Sequence, residues 1–220
     1  MDKTKLSKKL SKKIGKNIDN VVDLTSQIIF SRYGLDTSYP IEIVRGRIKS
    51  TIKKLNKMNI KHLKEPFVVI LIGPPLSGKT TWIKENFSDK EFELISRDQI
   101  VMDVYGSDNY DEAFKHVNQK EVDRVLHQTL VDANKNNKNA IVDMTHMSGK
   151  RRAQNLAYFS DDYYKLGVIF PILTDEEYER RNTKRSLEEN KNLPMHIIKR
   201  MISQYQPIKQ IEGFNKVISL

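Results

Sequence analysis

Residues 73 to 80 read Gly-Pro-Pro-Leu-Ser-Gly-Lys-Thr, a glycine-bounded loop that closes on a Lys-Thr pair. Gly73 and Gly78 let the backbone curl so that successive N–H groups face an anion, and a helix opening at Lys79 aims its positive end at the same place. Such a loop binds polyphosphate. In that chemistry Lys79 reaches the β- and γ-phosphates and the Thr80 hydroxyl is placed for Mg²⁺. ATP with Mg²⁺ is therefore the expected ligand, held along Gly73, Pro74, Pro75, Leu76, Ser77, Gly78, Lys79, Thr80 and Thr81.

Three further clusters carry chemistry. In Ser96-Arg97-Asp98 the carboxylate can take the proton of a hydroxyl that attacks the γ-phosphorus, or it can serve only as a helix N-cap for the segment that follows. In Asp143-Met144-Thr145-His146 the acid ends an apolar run, the position from which a carboxylate holds Mg²⁺ directly or through water. His146 reads either as a satisfied polar residue on a turn or as a group that orients the loop or contacts nucleotide. Within Arg180-Arg181-Asn182-Thr183-Lys184-Arg185, Arg181 and Arg185 are four apart and share a helical face, which suits a lid stabilising charge on the transferring phosphoryl group. The plain alternative is that basic residues favour helix C-termini. Lys150-Arg151-Arg152 opens a helix, where cations oppose the dipole and call for a phosphate or a carboxylate partner.

These residues need a frame. The apolar run Phe67–Ile72 feeds the loop as a buried strand, and Phe92–Ile95, Ala140–Asp143, Leu166–Phe170 and Lys216–Ser219 read as further strands. Helices are predicted over 79–87, 98–104, 110–136, 148–159, 174–187 and 194–205. Strict alternation implies an α/β fold, a mainly parallel sheet covered by helices on both faces. Ligands then sit beyond the carboxyl ends of the strands, where the acidic clusters fall.

Charge is unevenly placed along the 220 residues, whose formal net charge is +10. Residues 1–64 carry 16 Lys and Arg against 5 Asp and Glu, and the remainder is close to neutral, 22 against 23. Leu6, Leu10, Ile14, Ile18, Val21 and Ile28 recur at helical spacing among the lysines, and Val44, Ile48, Ile52 and Leu55 stripe a second candidate helix over 41–58. This basic helical extension, residues 1–64, precedes a catalytic domain over 65–220. Its lysine face can grip nucleic-acid phosphates, meet an anionic membrane surface, or lie solvated while the apolar stripes pack. The chain has no cysteine, no run near the roughly 20 apolar residues of a membrane span and no secretory signal, so a soluble intracellular protein, cytoplasmic or nuclear, is expected. The sequence leaves the oligomeric state open.

Gly73 to Trp82, Arg97-Asp98, Asp143-x-Thr145 with Arg151-Arg152, Arg181 to Arg185, and Leu193-Pro194 occur in the order in which they stand in the 5′-hydroxyl polynucleotide kinases. The chain resembles that family, in its phage and eukaryotic repair branches, over about residues 66–220; the closing Glu212-Gly213-Phe214 is also similar to the eukaryotic domain. The resemblance implies a P-loop kinase fold, Lys79 and Thr80 on triphosphate and metal, Asp98 as general base, and Arg185 with Arg181 as lid cations on ATP. It implies nucleic-acid 5′-OH ends, RNA or DNA, as the partner. Two positions depart from the pattern: Val101 stands where phage-type enzymes place an Arg on the acceptor's 3′-phosphate, and His146 replaces an Asn. The signatures of the partner phosphatase and ligase domains are absent. The kinase-like domain of heterogeneous nuclear ribonucleoprotein U is a further relative, and Asp98 sets this chain apart from that silent module. Two alternatives stand beside this reading: a kinase of nucleosides, nucleotides or other alcohols, and a catalytically silent, nucleotide-dependent RNA-binding module, against which Asp98 argues.

Overall fold

The computed structural model describes residues 63–107, 109–189 and 191–220. The two amphipathic helices expected within residues 1–62 lie outside the described residues. Strand β1 (Phe67–Ile72) is buried at all six positions, as an uninterrupted apolar run must be when both faces of its sheet are covered. It is followed by α1 (Lys79–Asn86), β2 (Glu93–Ser96), α2 (Arg97–Tyr105), α3 (Tyr110–His116) and α4 (Gln119–Lys135). Then come β3 (Ala140–Asp143), α5 (Gly149–Leu156), β4 (Tyr164–Ile169), α6 (Asp175–Glu189), α7 (Met195–Ser203), a 3₁₀ turn at Gln210–Glu212 and β5 (Lys216–Ser219).

The five strands run in the order β2-β3-β1-β4-β5. β1 pairs in parallel with β3 and β4, and β2 pairs in parallel with β3. Register fixes the working edge: Ser96 is opposite Asp143, and Ile70 is opposite Val142, so β1, β2 and β3 end at one level. That level is the crevice beyond the strand ends.

Alternation along β1 sends its side chains to two layers. Val68, Ile70 and Ile72 join Ile100, Val101, Val122, Leu126, Leu130 and Leu156 in one core cluster, and Val122, Leu126 and Leu130 recur at helical spacing on α4. On the other side Phe67 meets Phe87 at 5.8 Å between ring centroids, and Trp82 meets Phe170 edge-on at 5.8 Å. These aromatic contacts fix α1, and therefore the loop that opens it, against the sheet.

Where the sequence predicts one helix over 110–136 the chain forms two. Asn118 caps α4 by accepting from Lys120 N, and Val117 takes extended backbone angles. Apolar spacing continues through the break, but the short Asn side chain offers the backbone a bond that competes with the helix. β4 begins at Tyr164, earlier than its apolar run, because Tyr164 N donates to Pro66 O and the strand pairs from Phe67 onward.

Arg152 ties the last segment of the domain to the loop after β3. Fully buried, it donates to both Glu212 carboxylate oxygens at 2.6 and 2.8 Å, to His146 O at 3.0 Å and to Gln206 O at 3.0 Å. The carboxylate that the basic start of α5 calls for is thus supplied by Glu212.

Candidate active site

Gly78, the N-cap of α1, has φ 100°, a left-handed conformation that glycine adopts without strain. At Gly73 the constraint is space: a Cβ would stand 2.7 Å from Phe170 Cβ. Gly73 N donates to Thr145 O at 2.9 Å, which joins the loop to the segment after β3. Lys79 Nζ donates to Pro74 O at 2.8 Å and Gly73 O at 3.2 Å, curling back over the loop that precedes it. Ser77 Oγ is buried and, among the described residues, has no hydrogen-bond partner. An orphaned hydroxyl beside a folded-back lysine is what a loop built to meet phosphate oxygens presents.

Charges of both signs converge on Lys79. Burial pushes its ammonium down from the usual lysine range, the Asp143 and Asp98 charges work against that, and Arg185 adds to it. Burial likewise raises the Asp143 carboxyl, opposed by Lys79 and reinforced by Asp98. Asp98, Asp143, Lys79 and Arg185, drawn from four separate elements, thus lie near enough to act on one another's charge. Thr80 and Asp143 line a common cavity of about 400 Å³. Its other walls are mostly apolar, Ile83, Phe87, Phe92 and Leu94 among them, and the Thr80 hydroxyl and Asp143 carboxylate are oxygen donors of the kind Mg²⁺ takes. Pro74 is buried, Pro75 and Leu76 are partly exposed, and Thr80 and Thr81 are exposed at the start of α1.

Asp98 lies in the first turn of α2, and the cap of that helix is Ser96, whose side chain accepts from Gln99 N. The N-cap alternative for Asp98 is thereby excluded, and its carboxylate is exposed, with Oδ2 accepting from Tyr110 Oη at 3.3 Å. Its neighbour Arg97 turns away to Gln119 and Asp123. Val101 is completely buried in the core cluster.

Arg181 and Arg185 lie inside α6, whose last turn holds no basic residue, so helix-end preference does not account for them. Arg181 donates to Leu76 O of the loop at 2.9 Å and to Glu177 Oε1 at 2.6 Å. Arg180 and then Arg181, bonded to the Glu177 carboxylate, hold its pKa down at about 2. Arg185 is partly exposed beside the Tyr110 ring, 5.8 Å from its centroid, and bonds Glu189 at 3.3 Å. Arg180 and Lys184 are engaged in exposed pairs with Glu177 and Glu188.

His146 is the satisfied residue of the two readings. It is buried with φ 46°, Nδ1 donates to Leu71 O at 2.8 Å, and Nε2 accepts from Asn155 Nδ2 at 2.8 Å. Sequence reasoning missed Tyr110 and Asn155, and the role of Asn182, which exchanges bonds with Leu193 and so fixes the chain after α6. No local pattern marks these residues; their partners lie on other elements.

A family model described as AAA domain matches residues 68–208. A solved structure from the PezAT chromosomal toxin–antitoxin system of Streptococcus pneumoniae is 13% identical, with 78% of this chain and 75% of that chain covered at a TM-score of 0.50. A chain in a structure described as a Pnkp1/Rnl/Hen1 complex is 20% identical over 54% of this chain and only 40% of its own length, at a TM-score of 0.44. A gluconokinase from Sinorhizobium meliloti is 11% identical over 71% and 83% of the two chains, at 0.41. Among the described residues no helix is long and apolar enough to cross a membrane.

Proposed function

This chain belongs to the AAA domain family on an α/β P-loop kinase fold, and from that premise we propose that it transfers the γ-phosphate of ATP to the 5′-hydroxyl end of RNA or DNA. The observation that carries the reading is the phosphate loop, to whose Leu76 O Arg181 donates, together with an exposed Asp98 carboxylate that Tyr110 links to Arg185. Phosphoryl transfer asks for little more than that set: a cradle, a base and cations on the moving charge.

The acceptor O–H bond breaks and its proton passes to Asp98, while the acceptor oxygen bonds the γ-phosphorus in line with the departing β–γ bridge oxygen of ADP. Lys79 holds the β- and γ-phosphate oxygens; Arg181 and Arg185 meet charge that builds on the equatorial oxygens. Thr80 and Asp143 would hold Mg²⁺, which supplies charge neutralisation at the phosphates. The family-ordered motifs and the basic residues 1–64 support a polymeric acceptor, with the lysines adding affinity for its backbone.

One observation favours a second reading, a kinase of small alcohols or nucleosides: Val101 is buried where phage-type enzymes contact acceptor phosphate. Labelled ATP offered with a panel of 5′-OH RNA and DNA oligonucleotides, nucleosides and sugar alcohols separates the two. The proposal expects kcat/KM to be highest for an oligonucleotide; label passing only to a small alcohol would overturn it in favour of the second reading.

A further inference from the structure

The proposed base and one of the lid cations meet on a single side chain. Tyr110 opens α3, whose start is set by Asn109 accepting from Glu112 N, and Phe114 one turn later packs on its ring at 4.4 Å between centroids. The Tyr110 hydroxyl donates to Asp98 Oδ2 at 3.3 Å. Over its ring lie Arg185, 5.8 Å from the centroid, and Lys191, 5.4 Å away. Both cations also reach Glu189 Oε2, at 3.3 and 3.6 Å. Phenol, carboxylate and two cations thus form one connected group, and neither regular spacing nor local pattern in the sequence joins them.

We infer that Tyr110 is a positioning residue that couples the base to the lid: its hydroxyl fixes one oxygen of Asp98 and presents the other to the acceptor, while its ring seats Arg185 and Lys191. The inference rests on the phosphotransfer reading of the site. A donor on Oδ2 restricts rotation of a short exposed carboxylate, which would otherwise sample many orientations, and orientation is what a base contributes besides its proton affinity. The contact is longer than the roughly 2.7–2.8 Å usual for O–H···O bonds, which leaves room for it to tighten as an acceptor fills the site. Burial, and next the Asp98 charge, push the Tyr110 hydroxyl well above its ordinary range, with Arg185 opposing. The phenol accordingly stays protonated and donates; it does not compete with Asp98 as a base. The ring face, negative by its quadrupole, attracts the two cations without neutralising them. Their Glu189 partner is exposed to solvent, so phosphate oxygens can take its place on the two cations.

The two functions of Tyr110 separate by substitution in the full chain. Tyr110→Phe keeps the ring, the Phe114 contact and the cation seats, and removes only the hydroxyl. It should leave the Kd for ATP unchanged and lower kcat about tenfold, the scale of a lost bond to a charged group. In an Asp98→Asn background, read by single turnover, that loss should vanish, because the hydroxyl acts through the carboxylate. Tyr110→Leu should in addition weaken ATP binding about two- to fivefold by titration calorimetry, an effect absent when Arg185 is already Ala. Urea midpoints check folding; should Tyr110→Leu not fold, the Tyr110→Phe cycle with Asp98→Asn decides alone. Additive losses in both cycles, or a Tyr110→Phe variant with unchanged kcat, would overturn the inference. The ATP arm needs no acceptor, and kcat is read on whichever alcohol the wild type phosphorylates. Inactivity on oligonucleotides therefore refutes the acceptor assignment and leaves the role of Tyr110 to be decided by its own cycles.

Discussion

Lowering the pH from 7 to 5 should destabilise this protein through His146. Its ring is fully enclosed, and a neutral imidazole has one N–H to give and one lone pair to accept with; Leu71 O takes the first and Asn155 the second. Protonation would place a second N–H against the Asn155 amide and bury a charge. Burial accordingly lowers the pKa from 6.5 to about 4, the Leu71 and Met144 backbone bonds only partly opposing it. The unfolded chain takes up the proton first, near 6.5, so stability is fully present above that pH, falls as pH drops, and levels off below the folded value. The two values give a loss of about 2 kcal/mol between pH 7 and 5, rising to about 3 kcal/mol by pH 4. His146→Asn is the matching variant, since Asn tolerates the left-handed backbone; it should cost about 1–2 kcal/mol at pH 7 through a lost bond. Urea denaturation of both proteins at pH 7, 6 and 5 isolates the residue, because other titrating groups are common to both. The variant should lose about 2 kcal/mol less than the wild type between pH 7 and 5. Parallel losses would refute the argument that His146 is held neutral in the fold.

Three other outcomes are expected. Asp98→Asn should lower kcat by about 10²–10⁴-fold with ATP affinity nearly intact, as loss of a general base does; unchanged turnover in steady-state assays would remove Asp98 from the mechanism. Arg152→Met should cost about 3–5 kcal/mol in urea denaturation, because it leaves Glu212 buried without its partner, and Arg152→Met with Glu212→Leu should recover part of that; a double-variant loss equal to the sum of the two single losses would mean the pair is not coupled. For Glu212 itself burial works to raise the pKa, and the Arg152 bonds, the Lys209 backbone bond and the charges of both residues together outweigh it, so the carboxylate is held below its ordinary range. Replacing Lys8, Lys9, Lys12 and Lys13 by Gln should flatten the dependence of log Kd for single-stranded oligonucleotide on log salt, by about 0.7 for each phosphate that is no longer neutralised; an unchanged slope excludes these lysines as a nucleic-acid grip.

What was legible in the sequence was local. The phosphate loop announces itself through contiguous residues, and the strand that feeds it is an unbroken apolar run, so β1, the loop and the start of α1 fall where the sequence predicts them. β3 and β5 do too, each bounded by polar turn residues. The break before α4 was not legible because Phe114, Val117 and Val122 keep apolar spacing through it, and only the extended backbone at Val117 and the Asn118 cap that opens α4 mark it. Asp98 admits two readings in the sequence, because the bond by which Ser96 caps α2 is set by backbone geometry that residue type alone does not give. Arg151 and Arg152 look alike in sequence, yet one is exposed and the other is the most enclosed cation of the described residues, a distinction set by Glu212 from the far end of the domain. Tyr110 reads as an ordinary helix-opening residue, since its importance lies in partners on α2 and after α6.

Whether this chain phosphorylates a 5′-hydroxyl end is decided by where the label goes. The full chain is incubated with ATP labelled in the γ-phosphate, Mg²⁺ and a single-stranded RNA or DNA bearing a 5′-OH, beside the same strand already carrying a 5′-phosphate. Digestion to mononucleotides then shows the position of any label. A 5′-end kinase places it on the 5′-terminal nucleotide of the 5′-OH strand alone, and Lys79→Ala abolishes it. Label at internal or 3′ positions, equal labelling of the two strands, or none on either while ATP is consumed by another alcohol would be incompatible with that activity.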